Sequence, residues 1–241
     1  MCNLQTGLVK YIMKTSAIIV GAGSSTRMGK PISKQLIKLN GKETILHTLC
    51  AFEKSQSIDE IIVVCREQDI EIIKSLAKAN NITKAKAFTK GGDTRQQSVK
   101  NGVNLVSDNT EFIAIHDGAR PLVKPSDIDL AVNNAVKYGS SALGVYVKDT
   151  IKVIDENGFI ASTPNRSSLI AIYTPQVFKL DLYKKAMEQA ETENKNYTDD
   201  CQLLESIGEK VYVTLGSPEN IKLTTPEDII IAESFLQKRG E

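Results

Sequence analysis

Small and cationic residues crowd one stretch of the chain: Gly21-Ala22-Gly23-Ser24-Ser25-Thr26-Arg27-Met28-Gly29, with Lys34-Gln35 close behind. Small side chains let a backbone approach a ligand closely. Exposed N–H groups flanked by fixed cations, here Arg27 and Lys34, suit several phosphates at once. This is the chemistry of a loop for a nucleoside triphosphate. Two familiar templates fail on it. The dinucleotide fingerprint needs a third glycine where Thr26 stands, and an acid after the next strand, whereas Glu67 lies far downstream. A Walker A loop needs Ser or Thr after Gly-Lys, and Gly29-Lys30 is followed by Pro31.

Other loops hold complementary groups. Asp117 in Ile115-His116-Asp117-Gly118-Ala119-Arg120-Pro121 follows an apolar run. An acid there, facing a triphosphate loop, suits Mg²⁺ held by one carboxylate plus phosphate oxygens. Arg120 would meet a second phosphate, and His116 reads as a core histidine. Gly91-Gly92-Asp93-Thr94-Arg95-Gln96-Gln97-Ser98 is either a base-reading loop or a plain turn into a helix capped by Asp93. Lys222 stands just before Thr224-Thr225-Pro226, a helix start that favours anions. A solvated surface lysine is the alternative. Thr198-Asp199-Asp200 reads as a helix cap whose threonine hydroxyl is within reach of a substrate.

The elements that must position these groups alternate. Apolar runs at 16–20, 60–65, 85–88, 112–115 and 141–147 read as strands. Helical spacing occupies 44–54, 69–79, a segment from 93, 127–138, 179–191 and 198–207, with a strand at 210–215 and a last helix from Thr225. Thr44 is the expected cap of the first helix, and Ile72, Ile73 and Leu76 the expected inner face of the second. Uniformly apolar strands joined by helices predict an α/β, largely parallel, Rossmann-like sheet covered on both faces. Ligands bind such sheets beyond the carboxyl ends of the strands. Between 150–154 and 159–162, Asp155-Glu156-Asn157-Gly158 signals a hairpin. It reads as a projecting arm or as an ordinary edge hairpin.

The bulk numbers bound the classes. A chain of 241 residues, 41% hydrophobic and 24% charged, suits a single domain over 13–241, with 1–12 expected to be a disordered tail. A net charge of +1 argues against a broad nucleic-acid footprint, and no stretch is long and apolar enough for a membrane span. Cys2, Cys50, Cys65 and Cys201 form no Cys-x-x-Cys pair, and only two histidines are present, so zinc is not expected. Free thiols suit the reducing cytoplasm.

The ordered set of motifs resembles the 2-C-methyl-D-erythritol 4-phosphate cytidylyltransferase family over about Lys14 to Lys238. Its marks are Arg27-Met28, Lys34-Gln35, Gly91-Gly92-Asp93 with Arg95 and Ser98, and His116 through Pro121. They continue with Val147 through Lys152, Arg166-Ser167-Ser168-Leu169, Thr174-Pro175-Gln176, Thr198-Asp199-Asp200 and Asn220 through Pro226. The resemblance implies a nucleotidyltransferase fold, CTP as co-substrate, Mg²⁺ or another divalent cation, and a small polyol phosphate acceptor. It implies a homodimer with embracing arms at about 148–174. Ala22, Gly23, Ser24, Ser25, Gly92, Asp93 and Ser98 would surround the nucleotide. Arg27 and Lys34 would stabilise the transition state, and Arg166 and Lys222 would position the acceptor phosphate. Asp117, Arg120, Thr150, Thr174 and Thr198 would contact substrate, Thr150 and Arg166 closing the partner's site. The family loop commonly opens Ala-Ala-Gly with a further glycine two residues on; Gly21 and Ser25 depart from that. Ribitol 5-phosphate cytidylyltransferases, which tend to carry Ser-Val in place of Gly118-Ala119, are the nearest alternative. A nucleotide-binding regulatory module without turnover is the alternative from another class.

Overall fold

The computed structural model describes residues 13–23 and 33–240. The expected tail and the loop positions Ser24, Ser25 and Arg27 lie outside the described residues.

Three strands of almost wholly buried residues form the centre: β1 (Lys14–Gly21), β4 (Glu60–Cys65) and β6 (Thr110–Asp117). A seven-stranded sheet runs β11-β7-β10-β6-β1-β4-β5, completed by β5 (Ala85–Lys90), β7 (Ser140–Tyr146), β10 (Ile170–Lys179) and β11 (Tyr212–Leu215). Every pairing is parallel except those of β10, which runs antiparallel to both neighbours. β1 lies between β4 and β6, so the chain builds outward in both directions from it. That reversal opens a crevice beyond the strand ends, the place where such sheets take ligands. Gly21, Asp117 and Lys90 all close their strands on this rim.

Alternation along β1 separates the two cores. Ala17 and Ile19 face α1 (Thr44–Lys54), α2 (Ile70–Ala79) and α4 (Pro125–Tyr138), while Ile18 faces α3 (Arg95–Val103), α5 (Leu180–Thr192) and α6 (Asp200–Glu205). A third cluster seats α7 (Glu227–Arg239), through Ala232 and Leu236, on Leu39 of the short hairpin β2 (Lys38–Leu39) and β3 (Lys42–Glu43). No helix among the described residues is long and apolar enough to cross a membrane.

The structure differs from the sequence reading at several ends. Thr44 is the first helical residue and donates its hydroxyl to the Ile37 carbonyl at 2.9 Å, leaving the cap position to Glu43. Ile72 is 49% exposed; Ile73 and Ala77 carry the inner face of α2. Thr94, not Asp93, caps α3 by accepting the Gln97 N–H at 3.0 Å. Asp199, within the cap read at 198–200, caps a shorter α6, and α7 opens at Glu227, with Asp228 accepting the N–H groups of Thr224 and Thr225. β10 has no counterpart in the sequence reading. Pro175 falls in the break of its ladder between Ile172 and Gln176, where a strand tolerates proline.

The hairpin is present as β8 (Val153–Ile154) and β9 (Ile160–Ser162), shorter than its pattern, and residues 148–163 are all exposed. Its turn is built by Asp155, whose carboxylate accepts the N–H groups of Asn157 and Phe159 at 3.0 and 2.9 Å, with Gly158 at φ 85°.

Candidate active site

A cleft of about 520 Å³ opens on the rim, bounded by the turn at 21–23, the loop at 92–95, Lys34, Asp117 and Lys222. Gln35 sets its floor. The side chain is buried between Gly21 and Gly118, where an added Cβ would lie 2.8 Å from it on either side. The same wedge fixes Lys34, which opens a single 3-10 turn, Lys34–Leu36, and donates to the Leu223 carbonyl at 3.3 Å. Leu223 in turn donates its N–H to the Ala119 carbonyl at 2.8 Å. Lys34, Lys222 and Asp117 are thereby drawn to one wall from three distant parts of the chain.

Asp117 is the electrostatic centre. Lys222 Nζ stands 2.8 Å and Arg120 Nε 3.6 Å from Oδ2, and Arg95 Nε stands 3.7 Å from Oδ1. Burial pushes the Asp117 carboxyl up, but Lys222, Arg95 and Arg120 outweigh it and hold it at about 2. Its backbone N–H donates to the Thr174 hydroxyl at 3.1 Å. His116 behind it donates from Nε2 to the Arg120 carbonyl at 3.2 Å, so Nδ1 is the acceptor that takes the Thr174 hydroxyl proton at 3.0 Å. Burial lowers the His116 imidazole to about 4, which keeps this tautomer neutral. It is the core histidine the sequence suggests.

Several expected contacts sit elsewhere. Arg120 is buried, donates to the Asn220 carbonyl at 2.8 Å and lies 4.5 Å from the Tyr173 ring centre; it braces Asp117 and does not line the cleft. Thr174 is buried and committed to His116 and Asp117. Ser98 does line the cleft, and there it accepts the Gly92 N–H at 3.0 Å and donates to the Thr94 carbonyl at 2.9 Å, which fixes the loop at 91–94. Thr198 is exposed and outside the cleft lining. Thr150 and Arg166 are exposed on the arm, where Arg166 donates to the Lys148 carbonyl at 2.8 Å; neither lines the cleft of its own chain. Ala22, Gly23, Gly92 and Asp93 line it together with Ser98.

A metal held by Asp117 does not fit. Both carboxylate oxygens face cations, and no cluster of three or more Asp, Glu, His or Cys occurs among the described residues. A divalent ion there would have to displace Lys222 and sit among fixed positive charges.

Arg95, a mark of the resemblance that the sequence leaves without a role, lines the cleft. It pairs with buried Asp200 at 2.6 Å, and Asp200 accepts the Tyr183 hydroxyl at 2.8 Å. Burial pulls the Arg95 guanidinium down, yet Asp200 and Asp117 raise it well above its ordinary range, so it stays charged. A signal was available. Arg95 opens α3, where the helix dipole repels a cation, and such a placement needs a compensating anion. The thiols carry no catalytic signature: burial pushes Cys65 up to about 12 and raises Cys201 further.

Fold and cleft together define a nucleotidyltransferase of the α/β class. The family model of 2-C-methyl-D-erythritol 4-phosphate cytidylyltransferase matches residues 15–238, and the chain belongs to that family. It is 42% identical to the 2-C-methyl-D-erythritol 4-phosphate cytidylyltransferase of Clostridium botulinum (strain 657 / Type Ba4) over 225 residues, 93% of this chain and 98% of that protein. The protein of that name from Desulforamulus reducens is 41% identical over 225 residues, 93% of this chain and 96% of its own. Among solved structures, 4-diphosphocytidyl-2C-methyl-D-erythritol synthase from Anaerococcus prevotii DSM 20548 aligns with a TM-score of 0.84 at 34% identity, covering 94% of this chain and 97% of that one.

Proposed function

We propose that the chain joins CTP and 2-C-methyl-D-erythritol 4-phosphate, giving 4-diphosphocytidyl-2-C-methyl-D-erythritol and pyrophosphate. The observation that carries this reading is the convergence of Lys34 and Lys222 on one cleft beside the glycine turn, in a chain matched to the family over nearly its whole length. A phosphate oxygen of the acceptor attacks the α-phosphorus of CTP. The bond to the bridging oxygen breaks, and its electron pair leaves with pyrophosphate. The nucleophile is already ionised at neutral pH, so no general base is needed, in keeping with a neutral, buried His116.

Catalysis is then positioning and charge neutralisation. Lys34, with Arg27 of the glycine loop, meets charge developing on the α-phosphate and the leaving group. Lys222, oriented by Asp117, takes the acceptor phosphate, and Arg166 from a partner subunit's arm completes that pocket together with Thr150. Carbonyls of the 91–93 loop and the Asp93 carboxylate are acceptors for the exocyclic amine of cytosine. A divalent cation, if it enters with CTP, would supply further charge neutralisation and would take no ligand from Asp117. Gly118-Ala119, where ribitol 5-phosphate cytidylyltransferases tend to carry Ser-Val, supports this acceptor, and a side chain at 118 would meet Gln35 Oε1 at 2.8 Å. The free thiols Cys50, Cys65 and Cys201 suit a cytoplasmic enzyme.

Pyrophosphate release tests the reading. It is expected with CTP and methylerythritol phosphate, and only weakly with UTP or ATP, since the wrong base leaves buried polar groups unpaired. Equal turnover with UTP, or a preference for ribitol phosphate, would overturn it.

A further inference from the structure

A second cavity, about 420 Å³, lies between α1, the start of α4 and the last turn of α7, apart from the nucleotide cleft. Five cationic side chains line it, Lys42, Lys54, Lys124, Lys238 and Arg239, against one carboxylate, Glu219. The whole chain carries a net charge of only +1, so this concentration is local. Glu219 is already shared by Lys124 at 3.2 Å and Arg239 at 2.7 Å. Among the described residues Lys54 and Lys238 enter no ion pair, and the contact of Lys42 is the Cys50 sulfur at 3.1 Å. Lys54, Lys238 and Arg239 close the C-terminal turns of α1 and α7, where cations complement the helix dipoles. That accounts for cations at two helix ends. It does not account for their meeting Lys42 and Lys124, from two further elements, around one concave space.

We propose that this cavity is a second binding site, for an anion bearing a diphosphate group. The ammonium groups match adjacent phosphate oxygens, with Arg239 held beside them by Glu219 and the Leu122 carbonyl, and a single phosphate, at about −2, would leave about two of the cations unbalanced where a diphosphate would not. Ala51, Pro121, Val123 and Pro125 add an apolar wall, so the group carrying the diphosphate can be organic. The site backs onto the catalytic loops. Pro121 and Lys124 continue the loop that bears Asp117, and Glu219 begins the strap that bears Lys222.

Titration calorimetry with inorganic pyrophosphate tests this without relying on turnover. The wild-type chain is expected to show two classes of site. Lys54→Glu with Lys238→Glu, both at exposed positions, should lose one class while CTP turnover stays within about twofold, as surface changes usually allow. Lys222→Ala should weaken the other class and spare this one. In a Cys2→Ser background, pyrophosphate should also slow the reaction of Cys50 with an anionic aromatic disulfide, and the double variant should abolish that protection. A single class of site that survives the double charge reversal, or protection of Cys50 lost in Lys222→Ala alone, would overturn the proposal. If the cytidylyltransferase reading fails, calorimetry still decides this one.

Discussion

Asp117 stands among three cations, and its role follows from which of them has somewhere else to go. Arg120 is tied to the Asn220 carbonyl and Arg95 to Asp200, whereas among the described residues the exposed Lys222 Nζ has only Asp117. Lys222 is therefore the cation able to turn toward an incoming phosphate, with Asp117 holding it at the cleft wall until then. Lys222→Ala and Lys34→Ala should each lower kcat by about 10²-fold or more while the chain stays folded, with some loss of Tm in Lys222→Ala because the buried Asp117 loses its nearest cation. Steady-state kinetics that retain near-normal kcat in both would reduce them to surface cations. His116 predicts a pH effect on stability instead of rate. It titrates at about 4 in the fold, against about 6.5 in an unfolded chain. Between those values the unfolded state binds more protons, so stability falls as pH falls through that window, by an amount on the order of a few kcal/mol. The Asp117 carboxyl, held at about 2, adds a further loss only below about pH 4. In His116→Gln the urea midpoint should vary less between pH 7 and 4.5; an unchanged slope would assign the dependence to other groups.

Glycines fix how the elements approach one another, and they separate stability from binding. On α3, a Cβ at Gly102 would lie 2.5 Å from Ile18 Cγ2 and 3.0 Å from Val64 Cγ2, in the core. Gly102→Ala should destabilise by roughly 1–3 kcal/mol through overpacking, offset by up to about 1 kcal/mol of helix propensity. At Gly91 the Cβ would lie 2.2 Å from the Ala22 Cβ, with no flexible chain to move aside, so Gly91→Ala should force the base loop from the glycine turn. Its effect is expected in the KM for CTP, with little change in melting temperature. A large Tm loss in Gly91→Ala with an unaltered KM would refute that assignment. These contacts also mark how far the sequence could be read. Apolar runs and helical spacing suffice for β1, β4, β6 and the two-faced cover, because burial on both faces leaves a continuous hydrophobic signal. They miss β10, whose outer half is only partly buried and whose run is broken by Pro175. Lys34, Asp117 and Lys222 are legible as cations and an acid in loops after strands. Arg95 is legible as a cation at a helix start, but its partner Asp200 is not, and the roles of Arg120 and Thr174 as braces depend on three-dimensional neighbours that spacing does not encode.

At the scale of the whole molecule, the arm is unfinished as it stands. Phe159 is 72% exposed, and Ile151, Val153, Ile154 and Ile160 are exposed beside it. A two-stranded hairpin is marginal alone in water, and a patch of this kind marks an interaction surface. β11 adds an open sheet edge with Tyr212, Val213 and Leu215 exposed. A second copy related by a two-fold axis would cover both arms by the same operator. Arg166, which does not line the cleft of its own chain, would then serve its partner's. Mixing an Arg166→Ala chain with a Lys34→Ala chain distinguishes the arrangements. If Arg166 acts across the dimer, one site of each heterodimer carries both defects and the other carries neither. Random exchange should then restore roughly a quarter of wild-type activity, since about half of the dimers are mixed and each has one intact site. If Arg166 acts within its own chain, every mixed site keeps one defect and nothing is restored. Sedimentation as a monomer at micromolar concentration, or no recovery after verified subunit exchange, would rule out the shared site.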